Sequence, residues 1–118
     1  LTNPEENTMN LPHPHPSDPP HALFELGGFA ATPNALVALM LHGADPWDLL
    51  ERHQSGDWGE LSEEDKEANR EAIQGGYGRL MSVYPLADEI IADGKSSVVW
   101  MITEADRSVT TLLLPEEY

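Results

Sequence analysis

The sequence predicts an α+β domain, with three short helices packed on one face of a largely antiparallel sheet of about four strands. Helix punctuation is concentrated between Thr32 and Gly76, and β-branched, strand-like runs are concentrated after Arg79. The polar stretch between the last two runs, "EADRS", is as short as a hairpin loop should be.

The chain has 118 residues, a length that suits one domain. Residues 1–21, "LTNPEENTMNLPHPHPSDPPH", hold six of the ten prolines and few residues able to join a core. They read as a disordered, Pro-rich N-terminal arm. Residues 22–118 read as the single folded domain. A domain of that size buries about 60–70% of its unfolded surface, enough for one modest core.

The elements follow in order. "HALFELGGFAAT" suggests a first strand at roughly residues 22–30, bent at Gly27-Gly28. In "TPNALVALMLHG", Thr32 can N-cap, Pro33 suits the first helical position, and Gly43 can stop the helix. Leu36, Leu39 and Met40 fall at helical spacing there. "DPWDLLERHQSG" repeats the grammar, with Asp45 as cap, Pro46 as start and Gly56 after the last turn.

A third helix opens at Ser62, with Glu63, Glu64 and Asp65 in its first turn, and ends at Gly75-Gly76. Ala68, Ala72 and Ile73 give it a thin apolar face. "RLMSVY" alternates, with Leu80, Ser82 and Tyr84 on one side and Met81 and Val83 on the other. "SSVVWMIT" and "SVTTLLLP" complete the strands, and Asp93-Gly94 marks a turn before Lys95.

Composition narrows the function. The chain carries 21 acidic and six basic residues, a net charge of −15. Phosphate contacts need clustered Lys and Arg, so direct nucleic-acid binding and anionic membrane surfaces are disfavoured. A partner with a basic surface would be attracted. There is no cysteine, which removes disulfides, thiolate zinc sites and cysteine nucleophiles. No apolar run is long enough to span a bilayer, and no signal-peptide pattern opens the chain. The expectation is a soluble, cytoplasmic protein.

The acidic residues crowd between Asp45 and Glu71, where ten face only Arg52, Lys66 and Arg70. Helix capping accounts for Glu63, Glu64 and Asp65, and i,i+3 pairing links Glu63 to Lys66 and Glu67 to Arg70. Asp57, Glu60, Glu67 and Glu71 lie outside the cap. The stretch from Asp57 fails as a calcium loop, because Gly59 and Leu61 stand where oxygen ligands are required. No metal site and no cofactor is expected. His13, His15 and His21 offer only adventitious metal affinity, lacking residues to orient them. His42 and His53 sit near helix C-termini, where the dipole favours a cation and capping is the plain role.

Trp58, flanked by Asp57 and Gly59, reads as a plug at the core edge, with a contact hot spot as the alternative. "TEADRS" holds Glu104, Asp106, Arg107 and Ser108. A carboxylate and a hydroxyl together can look catalytic, but no histidine is near in sequence, and a locally bonded turn is the plain reading. No Walker loop or dinucleotide fingerprint is present.

Three pieces, "ATPNALVALMLHGADP", "GDWGELSEEDKEAN" and "ITEADRSVTTLLLPEEY", resemble a group of small uncharacterised bacterial proteins called plasmid-related proteins. These are associated with plasmids and other mobile elements. The resemblance spans roughly residues 22–118. Its matching positions are Asp57, Trp58 and Gly59, then Thr103, Glu104, Ala105, Asp106, Arg107 and Ser108. It implies a mobile-element setting and transfers no catalytic residue.

The resulting expectation is a non-catalytic, acidic interaction module that presents Glu60, Glu63, Glu64, Glu67 and Glu71, with Trp58, to a basic partner. An anti-defence factor that mimics DNA charge against a restriction or CRISPR complex is its concrete form. The alternative is a small dimeric regulatory or assembly module using an exposed sheet edge or Trp58. A small hydrolase built around Asp106, Arg107 and a distant histidine ranks last.

Overall fold

A computed structural model describes residues 22–86 and 98–118. The Pro-rich arm with its three histidines, and the Asp93-Gly94 turn, lie outside the described residues. The elements are β1 (Gly28–Ala31), α1 (Pro33–Leu41), α2 (Pro46–Ser55), α3 (Glu63–Gly75), β2 (Leu80–Pro85), β3 (Val98–Thr103) and β4 (Val109–Leu113). A short 3₁₀ turn, Pro115–Glu117, closes the chain.

The helices begin and end as their sequences dictate. The Thr32 hydroxyl accepts the Ala35 N–H at 3.1 Å, Asp45 accepts the Trp47 N–H at 2.9 Å, and Ser62 accepts the Asp65 N–H at 3.1 Å. Each bond satisfies an N–H that the helix itself cannot. Gly56 and Gly76 take the left-handed conformation just past α2 and α3.

The strands form one sheet in the order β1-β4-β3-β2. β2 with β3, and β3 with β4, are antiparallel, whereas β1 runs parallel to β4. The fold is α+β, and its sheet is mixed but mostly antiparallel. Three helices separate β1 from β2, and β1 takes its place in the sheet beside the last strand. The expected strand at 22–30 is therefore shifted. Residues 22–27 lead in, and pairing with β4 begins only at Gly28.

Alternation sets the core face. Leu80, Ser82 and Tyr84 of β2 are buried, aligned with Thr103, Met101 and Val99 of β3. Thr110 and Leu112 of β4 continue the face. Ala35 and Leu39 of α1, with Leu49 and Leu50 of α2, join Tyr84, Val99, Met101 and Leu112 in one apolar cluster. α1 packs over β4, while α2 and α3 pack against β2.

Two faces differ from expectation. On α1, Ala35 and Leu39 are buried, but Leu36 and Met40 face solvent. On α3, Asn69 and Ala72 are buried, Ile73 is half-buried and Ala68 is exposed. α1 is apolar nearly all round, so spacing alone does not choose its inner face.

Candidate functional site

The "GDWG" piece sits where α2 ends. Asp57 pairs with Arg52 at 2.7 Å and also accepts the Gly59 N–H at 3.3 Å. The Arg52 guanidinium holds the Asp57 carboxyl below the usual carboxylate range. Arg52 in turn lies 4.5 Å from the centre of the Tyr84 ring, and the Tyr84 hydroxyl donates to the Asp57 carbonyl at 2.7 Å. Trp58 is only 5% exposed, and its indole N–H donates to the His53 carbonyl at 3.2 Å. Its ring therefore anchors the loop, and the surface candidates reduce to the carboxylates.

The same loop seals the outer edge of β2. The Val83 N–H donates to the Trp58 carbonyl at 3.1 Å, and the Glu60 N–H donates to the Val83 carbonyl at 2.8 Å. Two residues away, the Asn69 side chain completes the seal. Its amide donates to the Met81 carbonyl at 2.8 Å and accepts the Met81 N–H at 3.2 Å. Gly59 has φ +69, and a Cβ there would collide with the Val83 carbonyl oxygen. Only glycine permits so close an approach.

The "TEADRS" piece is a second internal lock. Arg107 adopts φ +62 and turns its guanidinium inward. It donates to the carbonyls of Gly78 at 2.7 Å, Ala105 at 2.9 Å, Glu104 at 3.3 Å and Ala72 at 3.3 Å. One side chain thus ties the β3–β4 hairpin to the end of α3 and to the segment entering β2. Asp106 accepts the Ser108 N–H at 2.9 Å, and bonding to Ser108 lowers its pKa. Glu104 pairs with Arg79 at 3.3 Å. A depression of about 410 Å³ lies beside the turn, lined by Tyr77, Glu104, Ala105, Asp106 and Ser108. No histidine lines it, and His53 is committed elsewhere.

His53 is fully buried, which sequence reasoning missed. Its Nδ1 lies 2.5 Å from the Ser82 hydroxyl and its Nε2 lies 2.9 Å from the Thr103 hydroxyl. Thr103 and Thr110 are joined at 2.7 Å, and Thr110 donates to the Leu26 carbonyl at 2.7 Å. A carbonyl can only accept, so the direction of the whole chain follows. Thr110 spends its proton on Leu26, so Thr103 donates to Thr110. Nε2–H then donates to Thr103, and Ser82 donates to Nδ1. His53 is the neutral Nε2–H tautomer, and burial lowers its pKa to about 3. The helix dipole favours a cation at this position, but desolvation outweighs it. Ser82 and His53 stand in hydrogen-bond contact, yet both are fully buried and present no atom to a substrate. One signal was available in the sequence: His53 continues the stripe of Leu49 and Leu50 at helical spacing.

The acidic candidates all lie on the surface. Glu60, Glu63, Glu64, Glu67 and Glu71 are exposed. Along α3 the spacing of Glu63, Glu64, Glu67 and Glu71 places them on one stripe, opposite the buried Asn69 and Ala72, and Glu60 lies in the loop just before the helix. Lys66 pairs with Glu63 at 3.3 Å, and Arg70 pairs with Glu67 at 2.8 Å. Among the described residues no cation pairs with Glu60, Glu64 or Glu71. Beside this stripe, a cleft of about 530 Å³ opens between the Gly56–Gly59 loop and α3, bordered by Asp57, Lys66, Arg70 and Ile73.

No cluster of three or more His, Cys, Asp or Glu able to hold a metal occurs among the described residues. No helix among them is long and apolar enough to cross a membrane. Comparison of the chain with protein-family models, with curated proteins and with solved structures gives no match.

Proposed function

We propose that the protein is a non-catalytic interaction module that presents the acidic stripe of α3 to a basic protein surface. One observation carries the reading. Glu60, Glu64 and Glu71 are exposed with no cation paired to them among the described residues, whereas the Trp58 indole and the Arg107 guanidinium are committed inside the fold. Stacked carboxylates present negative charge where a basic partner would otherwise meet phosphates, and attraction of that kind is steered and weakened by salt. The setting we assign is bacterial and cytoplasmic, on a mobile element. The protein would occupy the nucleic-acid channel of a restriction or CRISPR complex as an anti-defence factor, without itself touching nucleic acid or membrane.

The test is affinity capture from the bacterial host by the full chain, beside a variant with Glu60, Glu63, Glu67 and Glu71 changed to Gln. A nucleic-acid-handling protein retained at low salt, and lost both at high salt and in the variant, supports the reading. Equal capture by the two proteins reduces the charge to solvation and overturns it.

A further inference from the structure

The two edges of the sheet are finished differently, and the difference points to a second binding face. β2 is sealed by the Trp58–Glu60 loop and Asn69. β1, at the other edge, carries no such cover among the described residues. Its register fixes which groups are open. The Gly28 N–H donates to the Ser108 carbonyl and the Thr32 N–H to the Leu112 carbonyl, so Gly28, Ala30 and Thr32 turn toward β4. Phe29 and Ala31 then point their N–H and C=O groups outward. An open edge normally carries Lys, Pro or a bulge to discourage pairing. The strand "GFAA" has none of these.

The helix above that edge is unfinished in the same sense. α1 packs over β4, the neighbour of β1, and so lies at the open end of the core face. Leu36 is 41% exposed, Val37 48%, Met40 73% and Leu41 78%. Helical spacing places these four on one continuous outer stripe. With ordinary side-chain areas they expose roughly 400 Å², within the range of the largest apolar patch a monomer leaves open.

We infer that a second copy of this chain docks here, pairing β1 with β1 antiparallel about a two-fold axis and laying α1 against α1. Three features select a second copy over another partner. First, the open groups are self-complementary. With Ala30 on the axis, Phe29 of one copy stands opposite Ala31 of the other, and each pair exchanges two hydrogen bonds. Second, charge permits it. A chain of net charge −15 repels its own copy over most of its surface, but residues 28–44 contain no Asp, Glu, Lys or Arg, and the Glu117 carboxylate that reaches them is held by Thr32 and Asn34 at the N-terminal end of α1. A basic partner would be drawn to α3 instead. Third, the area suffices. Full burial of both α1 stripes, with the part of Phe29 left exposed beside Trp47 and the two strand edges, would bring the buried surface to about 1,000 Å², the level a specific interface must clear. The paired edges would make one eight-stranded sheet with its acidic helices at the two far ends.

This face is distinct from the α3 stripe, so the two readings fail separately. The test is sedimentation of the full chain from low to high micromolar concentration, with amide hydrogen exchange measured on the same samples. A dimer is expected, with the Phe29 and Ala31 amides protected in it and exposed on dilution, while the Ala30 amide stays protected throughout. Val37→Glu and Leu41→Lys, which add opposite charges at exposed positions, should both weaken association by about tenfold or more, because each buries an unpaired charge. Circular dichroism of both variants checks that the fold persists. A monomer at every concentration overturns the inference and leaves this face to residues 1–21 or to an unrelated protein. A dimer indifferent to both variants, with Phe29 and Ala31 unprotected, overturns it equally.

Discussion

The outer strands β1 and β2 solve the same problem in opposite ways. Each is the last strand of the sheet and each has outward-facing backbone groups. At β2 those groups are met inside the molecule, by the Trp58 carbonyl, the Glu60 N–H and both ends of the Asn69 amide. At β1 they face outward beside a helix whose exposed side is apolar. A sequence that devotes Gly59, Trp58 and Asn69 to closing one edge treats edge pairing as a hazard there. It spends nothing comparable on the other. An uncovered edge is therefore better read against its own opposite edge than against an average protein.

The contrast can be broken first at its closed side. Gly59→Ala should be the most damaging change, about 3 kcal/mol or more. It forces a left-handed side chain against the Val83 carbonyl and releases the loop's bonds to β2. Chemical denaturation reads this as a lowered midpoint. Asn69→Ala comes next at about 2 kcal/mol, because it leaves the Met81 N–H and C=O without partners. Faster exchange of the Met81 amide, with the Val83 amide unchanged, locates the loss at that edge.

The polar chain that runs beneath the sheet from β2 toward β1 makes stability depend on pH. His53 has its pKa lowered from 6.5 to about 3, so the unfolded chain binds the proton more readily. Its contribution is fully present above about pH 6.5 and is lost as pH falls toward 3. At pH 5 the loss is about 2 kcal/mol relative to pH 7.5. The carboxylates of Asp57, Asp106 and Glu117, whose pKa values are also lowered, lose stability in the same direction as pH falls, so the measurement is a difference: His53→Gln should flatten the pH dependence relative to the unsubstituted protein. The smallest effect belongs to the open side. Leu41→Lys should change the stability of the isolated chain by no more than about 0.5 kcal/mol, since the residue is 78% exposed. Denaturation at high dilution checks it, and a larger loss would mean that Leu41 packs within its own chain.

Local chemistry was legible in the sequence. The caps at Thr32, Asp45 and Ser62, and the alternation of β2, are set by neighbours a few residues away, and they stand where the sequence places them. What escaped depends on distant partners. β1 is defined by β4, which lies at the other end of the domain, so its bounds were not written in "ALFELGGFAA". The inner side of α1 was illegible because almost every side of it is apolar. His53 resembled a cationic cap because its true partners, Ser82, Thr103 and Thr110, lie far along the chain. The exposure of Glu63, Glu64, Glu67 and Glu71 was legible, because helical spacing alone sets them away from the buried side of α3. The internal roles of Trp58 and Arg107 were visible only in part: a turn and a plug could be read, but not that one guanidinium joins three segments.

The pairing of Gly28 with Val109 also has a consequence in time. Synthesis runs from the N-terminus, so β1 and the apolar α1 leave the ribosome long before the strand that will hold them. Until β4 arrives, β1 has no neighbour on either side, and Arg107 is not yet present to bind the end of α3. A nascent chain stopped before Val109 has no seat for β1. The sheet is therefore completed only when its final hairpin is present and its first strand gains a neighbour.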